Sequence, residues 1–513
     1  QPPPVPPRLL SLHTMLALLA LFLAISTARS VLTSGPLYDY IHSKDDRYNV
    51  TVLSTEAALP SLTRYTVKVD TISWLLPNVT SIATWTNYMS IFVPDNVANA
   101  PGAQGLLYIT GGKNGGGPPP YDGPPVEEDL VRGAAHKTGL ISAVLYQIPN
   151  QPALFYAEGS DHKRSEDAVI AYTWAKFMNL TREGKSTDPA TGGLPTAEWL
   201  LRFPMVKAAI RAIDAMQDVV RDHTSSPVPT KFLVAGASKR GWTTWLTPVV
   251  DERVVAIMPM VMPILNMVPS MQHHYRAYNA WSFALKDYLE EDCMRYLTSP
   301  EMAELAKLVD PFHYYKQLEG VPKYVLTSAG DEFFLPDSPR FFWDSLPGPK
   351  LLNVLADAEH SLMEALPDIF FSLQGFAHLV QWQKPLPSVT WDLTYANHSE
   401  ASITVTTDTT PSAVTVWDAT TLQSVTRDFR LVTCWDITKC LQPVIWTGFK
   451  SFTGSDGKYT TSMAPPLNGA WAGFLFQLQF SFDTFTMYAT SEVNIVPDRM
   501  PFEYPTNMTL AGL

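Results

Sequence analysis

The stretch Phe232-Leu-Val-Ala-Gly-Ala-Ser-Lys-Arg-Gly-Trp242 indicates the fold more clearly than any other part of the chain. Its apolar start predicts a short buried strand, and a helix is predicted from Gly241 onward. A Gly-x-Ser sequence between a strand and a helix is typical of a nucleophile elbow, a tight turn that lifts a serine hydroxyl clear of the sheet. The strict motif Gly-x-Ser-x-Gly would need glycine at position 240, where this chain has Arg240. The segment therefore predicts an exposed Ser238 at the end of a sheet strand.

Strand-like and helical segments alternate on both sides of this elbow. Such alternation predicts parallel βαβ units, hence an α/β fold with a mostly parallel, doubly wound sheet. We expect residues 31–382 to form this domain, with the short strands of residues 37–100 at the sheet edge and residues 262–320, rich in Trp, Tyr and His, as a cap. The predicted strands are Gly105–Thr110, Leu140–Ile148, Phe232–Ala235, Val254–Val261, Tyr324–Ser328 and Leu351–Leu355, and the predicted helices include Ala168–Asn179 and Trp199–Asp222.

The composition changes near Trp382, after which Thr, Val, Trp and Phe dominate and helical periodicity largely disappears. Short β-runs separated by Pro, Gly, Asp and Ser are typical of a β-sandwich. We predict a linker at residues 383–388, which contain two prolines, and an all-β sandwich-like domain over residues 389–513. Its clearest strand segments are Ala401–Thr406, Ala413–Trp417 and Trp471–Phe482.

The overall composition excludes several classes of protein. The 513 residues include 37 Lys and Arg against 49 Asp and Glu, which gives a net charge of 37 − 49 = −12. With 46% hydrophobic and only 17% charged residues, the chain has enough apolar material for large cores and is not a disordered protein. An acidic chain without Lys/Arg tracts is poorly suited to nucleic acid. Three cysteines are too few for a disulfide-built scaffold.

A serine nucleophile needs a base, and the base needs an acid that orients it. In the α/β-hydrolase fold these groups follow the serine in the order Asp or Glu, then His, each after a later strand. Asp331 follows the predicted strand Tyr324–Ser328, and His360 follows the predicted strand Leu351–Leu355. We therefore predict an α/β-hydrolase fold with a catalytic triad of Ser238, Asp331 and His360.

Other residues could take the places of the acid and the base. Glu332 and Glu359 are alternative acids, and Asp331 could instead cap a helix that begins near Pro336. His378 is an alternative base, although it lies in a helical stretch and no strand precedes it.

Acyl transfer also needs N–H donors for the oxyanion. In this fold one donor is the N–H after the nucleophile, here that of Lys239, and the other comes from a loop after an early strand. We expect the second donor at Gly112 or Lys113 in the loop 111–114, although simple loop flexibility would also account for its glycines. Arg240 either binds an anionic or carbonyl group of a substrate or pairs with a structural carboxylate.

The sequence gives no sign of a metal or a cofactor. The pair His273–His274 has no Cys, His or Asp partners at ligand spacing. The glycine-rich stretch Gly115–Pro120 lacks the Lys-Ser/Thr end of a phosphate loop. We therefore predict metal-free and cofactor-free chemistry.

The first 30 residues resemble a secretory leader. The chain begins with Gln1, and Met15 is a candidate initiator that precedes the apolar run Leu16–Ile25. This run is too short to span a bilayer but has the length of a signal-peptide core, with Ala28 or Ser30 before the cleavage point. A buried helix is the alternative. We predict a secreted protein without a stable membrane anchor.

Glycosylation and a disulfide would fit an extracellular protein. Cys434 and Cys440 are close enough for a small disulfide loop, two buried thiols being the alternative, and Cys293 is left without a partner. Asn-x-Ser/Thr sequons, which accept N-linked glycans in secreted proteins, occur at Asn49, Asn78, Asn179, Asn397 and Asn507.

Three strings in the chain resemble the PhoPQ-activated pathogenicity-related protein family: Gly236–Trp245, Gly330–Asp337 and Glu359–His360. The resemblance covers about residues 37–510 and implies an α/β-hydrolase fold. It also implies a kinship with a secreted repressor of proliferation and chemorepellent of social amoebae. The Ser-Asp-His order is similar to that of dipeptidyl peptidase-like hydrolases, but the region before Gly105 is too short for their propeller.

Two functions follow as hypotheses. The first is a secreted serine hydrolase that cleaves an ester or amide bond of a peptide or small ester through the predicted triad. The second is a secreted signal protein that uses this fold as a scaffold and binds a cell-surface receptor.

Overall fold

The computed structural model describes residues 30–119, 126–159, 161–396 and 400–505. The leader predicted within residues 1–29 and the sequons at Asn397 and Asn507 lie outside these ranges. The helices are α1 Pro36–His42, α2 Val126–Thr138, α3 Asp167–Arg182, α4 Arg202–His223, α5 Lys239–Val250, α6 Met267–Tyr278, α7 Lys286–Glu290, α8 Pro300–Val309, α9 Tyr315–Leu318, α10 Leu366–Gln381 and α11 Ile437–Cys440. The strands of the main sheet are β1 Asn49–Leu59, β2 Leu62–Ser73, β3 Thr84–Pro94, β4 Gly105–Ile109, β5 Ile141–Leu145, β6 Phe232–Ala237, β7 Val254–Met260, β8 Lys323–Ser328 and β9 Lys350–Leu355.

Within the described residues, the main sheet has nine strands in the order β1-β2-β3-β5-β4-β6-β7-β8-β9. The strands from β5 to β9 along this order pair in parallel. The strands β1, β2 and β3 form an antiparallel meander, and β3 pairs antiparallel with β5. From β2 onward this is the strand order of the α/β-hydrolase fold, and β1 is an additional edge strand.

Helices cover both faces of this sheet. On one face α4 and α5 pack together, with Ala209 and Trp245 among the fully buried side chains of one core. On the other face α2 and α10 contribute Val131 and Phe376 to a second core. The central strands β4, β5 and β6 are buried almost throughout, which explains their continuous apolar sequences.

The carboxyl-terminal region forms two further sheets. Their strands are β10 Val389–Ala396, β11 Glu400–Thr407, β12 Ala413–Thr420, β13 Thr447–Phe449, β14 Thr453–Ser455, β15 Lys458–Met463, β16 Ala472–Phe482, β17 Phe485–Thr490 and β18 Asn494–Val496. One sheet has the order β10-β11-β15-β14, and the other has the order β13-β12-β16-β17, with β18 paired to β16. Ile403 of the first sheet and Phe476 of the second are fully buried in one shared core.

The β-rich region packs on the last strands of the main sheet. The hydroxyl of Tyr324 in β8 donates to the carbonyl of Tyr488, and the N–H of Val354 in β9 donates to the hydroxyl of Thr490 over 2.9 Å. The predicted disulfide is confirmed, because Cys434 and Cys440 are bonded, while Cys293 is a buried free thiol.

Candidate functional site

Ser238 lies at a strained turn between β6 and α5. Its backbone has φ 57° and ψ −129°, a conformation that L-residues with a side chain rarely adopt. The turn is held by two backbone hydrogen bonds, from the Ser238 N–H to the Met260 carbonyl over 2.9 Å and from the Trp242 N–H to the Ser238 carbonyl over 3.0 Å. This geometry is that of a nucleophile elbow, which presents the serine hydroxyl above the sheet.

Two glycines allow the turn to be this tight. A Cβ at Gly236 would lie 2.9 Å from the Arg240 carbonyl oxygen, and a Cβ at Gly241 would lie 2.7 Å from the Met260 carbonyl oxygen. The second glycine is therefore required at position 241, where α5 crosses the end of β7. Gly241 therefore relieves crowding at the turn in the same way as the second glycine of the strict motif, one residue further along the chain.

The elbow brings Ser238 next to the histidine and the aspartate that follow the last two strands. The Nε2 atom of His360 is 2.8 Å from the hydroxyl of Ser238. The Nδ1 atom of His360 is 3.0 Å and 2.9 Å from the two carboxylate oxygens of Asp331. These three predicted residues thus form one continuous hydrogen-bonded chain.

Backbone groups fix the acid and the base in this chain. The Oδ1 atom of Asp331 accepts the N–H groups of Phe333 and Phe334 over 2.7 Å and 3.2 Å. The N–H of His360 donates to the carboxyl group of Glu332 over 3.0 Å. The Phe333 ring packs 4.4 Å from the His360 ring, centroid to centroid, so the imidazole is held from several sides.

The surroundings of His360 favour its protonated form. Burial opposes the charge, but the Asp331 carboxylate and its hydrogen bond outweigh burial and raise the pKa of His360 above its usual value. Burial, together with the negative charges of Asp331 and Glu359, raises the pKa of Glu332 to about 8. A base that gains its proton readily beside a carboxylate is suited to general base catalysis.

The alternative acids and the alternative base have other partners. Glu332 binds the backbone of His360 rather than its ring, and Glu359 accepts the N–H of Ser361 over 2.9 Å. His378 lies near the β-rich region, where its Nε2 is 3.3 Å from Asp483.

The expected oxyanion donors lie at the same sheet edge. Lys239 is the first residue of α5, so its N–H has no carbonyl partner within the helix. The loop 111–114 follows β4, which pairs with β6. Gln151 donates to the Gly112 carbonyl over 3.1 Å, and Gln147 donates to the Lys113 carbonyl over 3.0 Å. These two bonds hold the loop in place through its carbonyl oxygens. That an N–H group of Gly112 or Lys113 binds the oxyanion stays a prediction.

Arg240 has partners within the protein. Its guanidinium donates to the Glu166 carboxylate over 2.7 Å and to the carbonyl of Ile148. Lys239 joins the same network, with its Nζ 2.9 Å from both Glu166 and Asp167. The sequence left two partners open for Arg240, a group of the substrate or a structural carboxylate. In the structure Arg240 pairs with a carboxylate, that of Glu166.

Glu166 and Asp167 are the members of the site that the sequence pattern did not reveal. They lie at the start of α3, far from the elbow in sequence, and the only local signal was an acidic pair before a helix. Burial opposes ionisation of Glu166, yet Lys239 and Arg240 hold its pKa far below the usual value.

The histidine pair lies in two separate environments. The Nε2 of His273 is 3.0 Å from Asp337, and the Nε2 of His274 accepts the N–H of Ser282 over 3.1 Å. Within the described ranges, the one group of three metal-ligand types that lie close together is Asp331, Glu332 and His360. Asp331 and His360 are members of the hydrogen-bonded chain described above, and Glu332 accepts the backbone N–H of His360.

Three predicted glycosylation sites are exposed. The side chains of Asn49, Asn78 and Asn179 lie at the surface, as a glycan would require. None of the helices in the described ranges combines the length and the apolar character that a bilayer crossing requires.

Solved structures with some similarity are hydrolases. An acetyl xylan esterase from Paenibacillus sp. R4 matches with 14% identity and a TM-score of 0.39, over 66% of this chain and 96% of the esterase. The acylaminoacyl peptidase of Pyrococcus horikoshii matches with 10% identity and a TM-score of 0.35, over 65% of this chain and 50% of the peptidase.

The sequence itself shows a closer relationship. Autocrine proliferation repressor protein A of Dictyostelium discoideum is 38% identical over 496 residues, which is 94% of each chain. The sequence profile of the PhoPQ-activated pathogenicity-related proteins matches residues 37–430. The chain has an α/β-hydrolase fold with an additional β-sheet domain. It belongs to the PhoPQ-activated pathogenicity-related protein family.

Proposed function

We propose that this protein is a serine hydrolase that cleaves ester or amide bonds, those of peptides included. The observation that carries the proposal is the hydrogen-bonded chain Ser238–His360–Asp331 at a strained elbow, with the Ser238 hydroxyl 2.8 Å from a buried imidazole. A positive φ at a serine costs about 1–3 kcal/mol, and such strain is concentrated at functional sites.

The geometry supports a two-step acyl transfer. Ser238 Oγ attacks the carbonyl carbon of the substrate, and His360 Nε2 takes the serine proton. Asp331 holds the imidazole with Nδ1 protonated and stabilises the cation that forms, which agrees with the raised pKa of His360. His360 then gives the proton to the leaving alcohol or amine. In the second step water attacks the acyl-enzyme and gives a proton to His360, which returns it to Ser238 Oγ as the acid product leaves.

The negative charge on the carbonyl oxygen needs donors in a region of low dielectric. The Lys239 N–H at the start of α5 would be one donor, assisted by the positive end of the helix dipole. An N–H of the loop 111–114, at Gly112 or Lys113, would be the other. No step of this scheme requires a metal or a cofactor.

Covalent labelling with a fluorophosphonate tests the proposal. We expect the wild-type protein to be labelled on Ser238, Ser238→Ala to be unlabelled, and the control Ser54→Ala, on an exposed position of β1, to be labelled like wild type. A folded wild-type protein that stays unlabelled, or a Ser238→Ala variant labelled at the wild-type rate, would refute it.

A second candidate function is extracellular signalling through a cell-surface receptor. The observation that favours it is the 38% identity to a protein named as an autocrine proliferation repressor. Secretion through a leader that contains the apolar run Leu16–Ile25 would accompany this role. Adding purified wild-type and Ser238→Ala protein to proliferating cells separates the two functions. Equal repression by both would assign the signal to receptor binding, and repression by the wild type alone would assign it to hydrolysis.

A further inference from the structure

A small cavity lies directly beside the reactive serine. It has a volume of about 30 Å³, and Ser238, Lys239 and His360 line one side of it. Most of the remaining wall comes from residues 262–302, which run from the end of β7 into α8. A group bound here would be attached to the carbonyl that Ser238 attacks.

The wall of this cavity is dominated by apolar side chains, and methionine is the most frequent among them. Phe333 and Phe334 close the side next to His360, and Trp174 and Trp242 lie along α3 and α5. The five methionines are Met262, Met267, Met271, Met294 and Met302.

The polar groups in the wall bind mainly to one another. Asp167 accepts a hydrogen bond from the Tyr288 hydroxyl over 2.9 Å and pairs with Lys239 over 2.9 Å. Arg202 is buried, donates through Nη1 to the Lys239 carbonyl over 2.6 Å and lies 4.4 Å above the Trp242 ring. Nη2 of Arg202 is buried and has no hydrogen-bond partner among the described residues. A ligand here would therefore meet mainly apolar surface.

Methionine walls can change shape. The side chain is unbranched and has three rotatable bonds, so it fills gaps and adapts to different ligands. A free volume of about 30 Å³ exceeds the space that one water needs, but a longer chain would have to displace methionine side chains. The cavity is thus a small apolar pocket that can expand.

We propose that this pocket binds the acyl side of the substrate and selects an apolar acyl group, such as an aliphatic chain or an apolar amino-acid side chain. The inference rests on the proposed hydrolase function and adds its specificity. Its physical basis is that each methylene moved from water into an apolar wall contributes about 0.8 kcal/mol, or about fourfold in rate when the gain is realised in the transition state.

Alkylphosphonate esters with a para-nitrophenyl leaving group test the pocket in one turnover. Ser238 Oγ forms a bond to phosphorus, the bond from phosphorus to para-nitrophenolate breaks, and the serine proton passes to His360. The released nitrophenolate gives the rate, and the mass of the labelled protein confirms the adduct. The panel has methyl, butyl, octyl and ω-carboxybutyl chains on phosphorus.

We expect the butyl probe to react at least about tenfold faster than the methyl probe, because it places three further methylenes in the pocket. The ω-carboxybutyl probe should react more slowly than the butyl probe. Similar rates for methyl and butyl would overturn the proposal. A faster ω-carboxybutyl reaction would assign the pocket to an acidic group held by Arg202 and would also overturn it. If no probe reacts with folded protein, the proposed hydrolase function itself fails.

A pocket variant and a matched control complete the test. Met271→Ala should enlarge the pocket and raise the ratio of octyl to butyl rates at least about threefold. Met258→Ala removes the same atoms from a buried position in β7 that does not line the pocket, so it should leave the ratio unchanged. A ratio that changes equally in both variants, or in neither, contradicts the assignment of this pocket.

Discussion

Asp331→Asn is the substitution whose effect follows most directly from the hydrogen bonds of the site. The Oδ1 atom of Asp331 accepts two N–H groups, those of Phe333 and Phe334. In the asparagine variant this position must remain an oxygen, because an amide nitrogen would point its hydrogens at these donors. The NH2 group therefore takes the place of Oδ2, which is 2.9 Å from Nδ1 of His360.

That exchange reverses the tautomer of His360. The oxygen that remains, Oδ1, is 3.0 Å from Nδ1 but already accepts two backbone N–H groups. We therefore expect Nδ1 to accept from the NH2 group and the ring proton to move to Nε2, where it points at the Ser238 hydroxyl. A histidine protonated on Nε2 cannot take the serine proton. In a Ser-His-Asp hydrolase the same reversal lowers kcat by about 10⁴-fold with the geometry intact. Loss of the carboxylate also removes the charge that raises the pKa of His360, so its pKa should fall.

The rate of fluorophosphonate labelling measures this effect. We expect Asp331→Asn to react about 10³–10⁴-fold more slowly than wild type at neutral pH. The residual rate should level off at a lower pH than the wild-type rate. Asp344→Asn removes the same charge from an exposed position and should react like wild type. A folded Asp331→Asn variant with more than a tenth of the wild-type rate would refute the assignment of Asp331 as the residue that orients His360.

Three further predictions concern the residues that surround Ser238, His360 and Asp331. Gly241→Ala places a Cβ 2.7 Å from the Met260 carbonyl oxygen, so urea unfolding should show a loss of stability of about 1–3 kcal/mol. A loss below about 0.5 kcal/mol, the usual size of a surface effect, would contradict the steric account. Glu332 has a folded pKa of about 8 and an unfolded pKa near 4.5, so its stabilisation is complete below about pH 4.5 and is lost as the pH rises through about 8. Glu332→Gln should therefore lose less thermal stability than wild type between pH 5 and pH 8, measured by Tm, and identical profiles would disprove this. Glu166→Gln removes a partner of Lys239 and Arg240; because Glu166 is 39% exposed, solvent screening should limit the loss in urea unfolding to about 1 kcal/mol, and a gain in stability would count against the pairing.

The sequence allowed the main sheet to be predicted because each feature is local. The residues around Ser238 encode, in direct succession, an apolar strand, a turn of small residues and an amphipathic helix. The positions of Asp331 and His360 follow from the same logic, since each comes directly after a buried strand, and strands in parallel order bring their carboxyl ends to one edge.

Other features of the site depend on pairings that no local pattern encodes. Glu166 and Lys239 are distant in sequence, and their ion pair exists because α3 and α5 approach each other, with the rings of Trp174 and Trp242 5.8 Å apart. In residues 262–320 the sequence drew attention to Trp, Tyr and His, but five methionines dominate the contribution of this segment to the pocket. Methionine gives little positional signal, because its flexible side chain fits almost any core position.

Two features of the site lower the stability of the folded protein, and they bear on whether the protein is a hydrolase or uses the fold only as a scaffold for receptor binding. Ser238 adopts a backbone conformation that costs about 1–3 kcal/mol, which a residue at an ordinary turn would avoid. Asp331 and Glu332 place two buried carboxyl groups side by side, and burial together with the charge of Asp331 raises the pKa of Glu332 to about 8. A protein that used this fold only to bind a receptor would gain stability by losing either feature. Their joint presence, with the Ser238 hydroxyl within 2.8 Å of His360, favours a protein in which the serine still reacts.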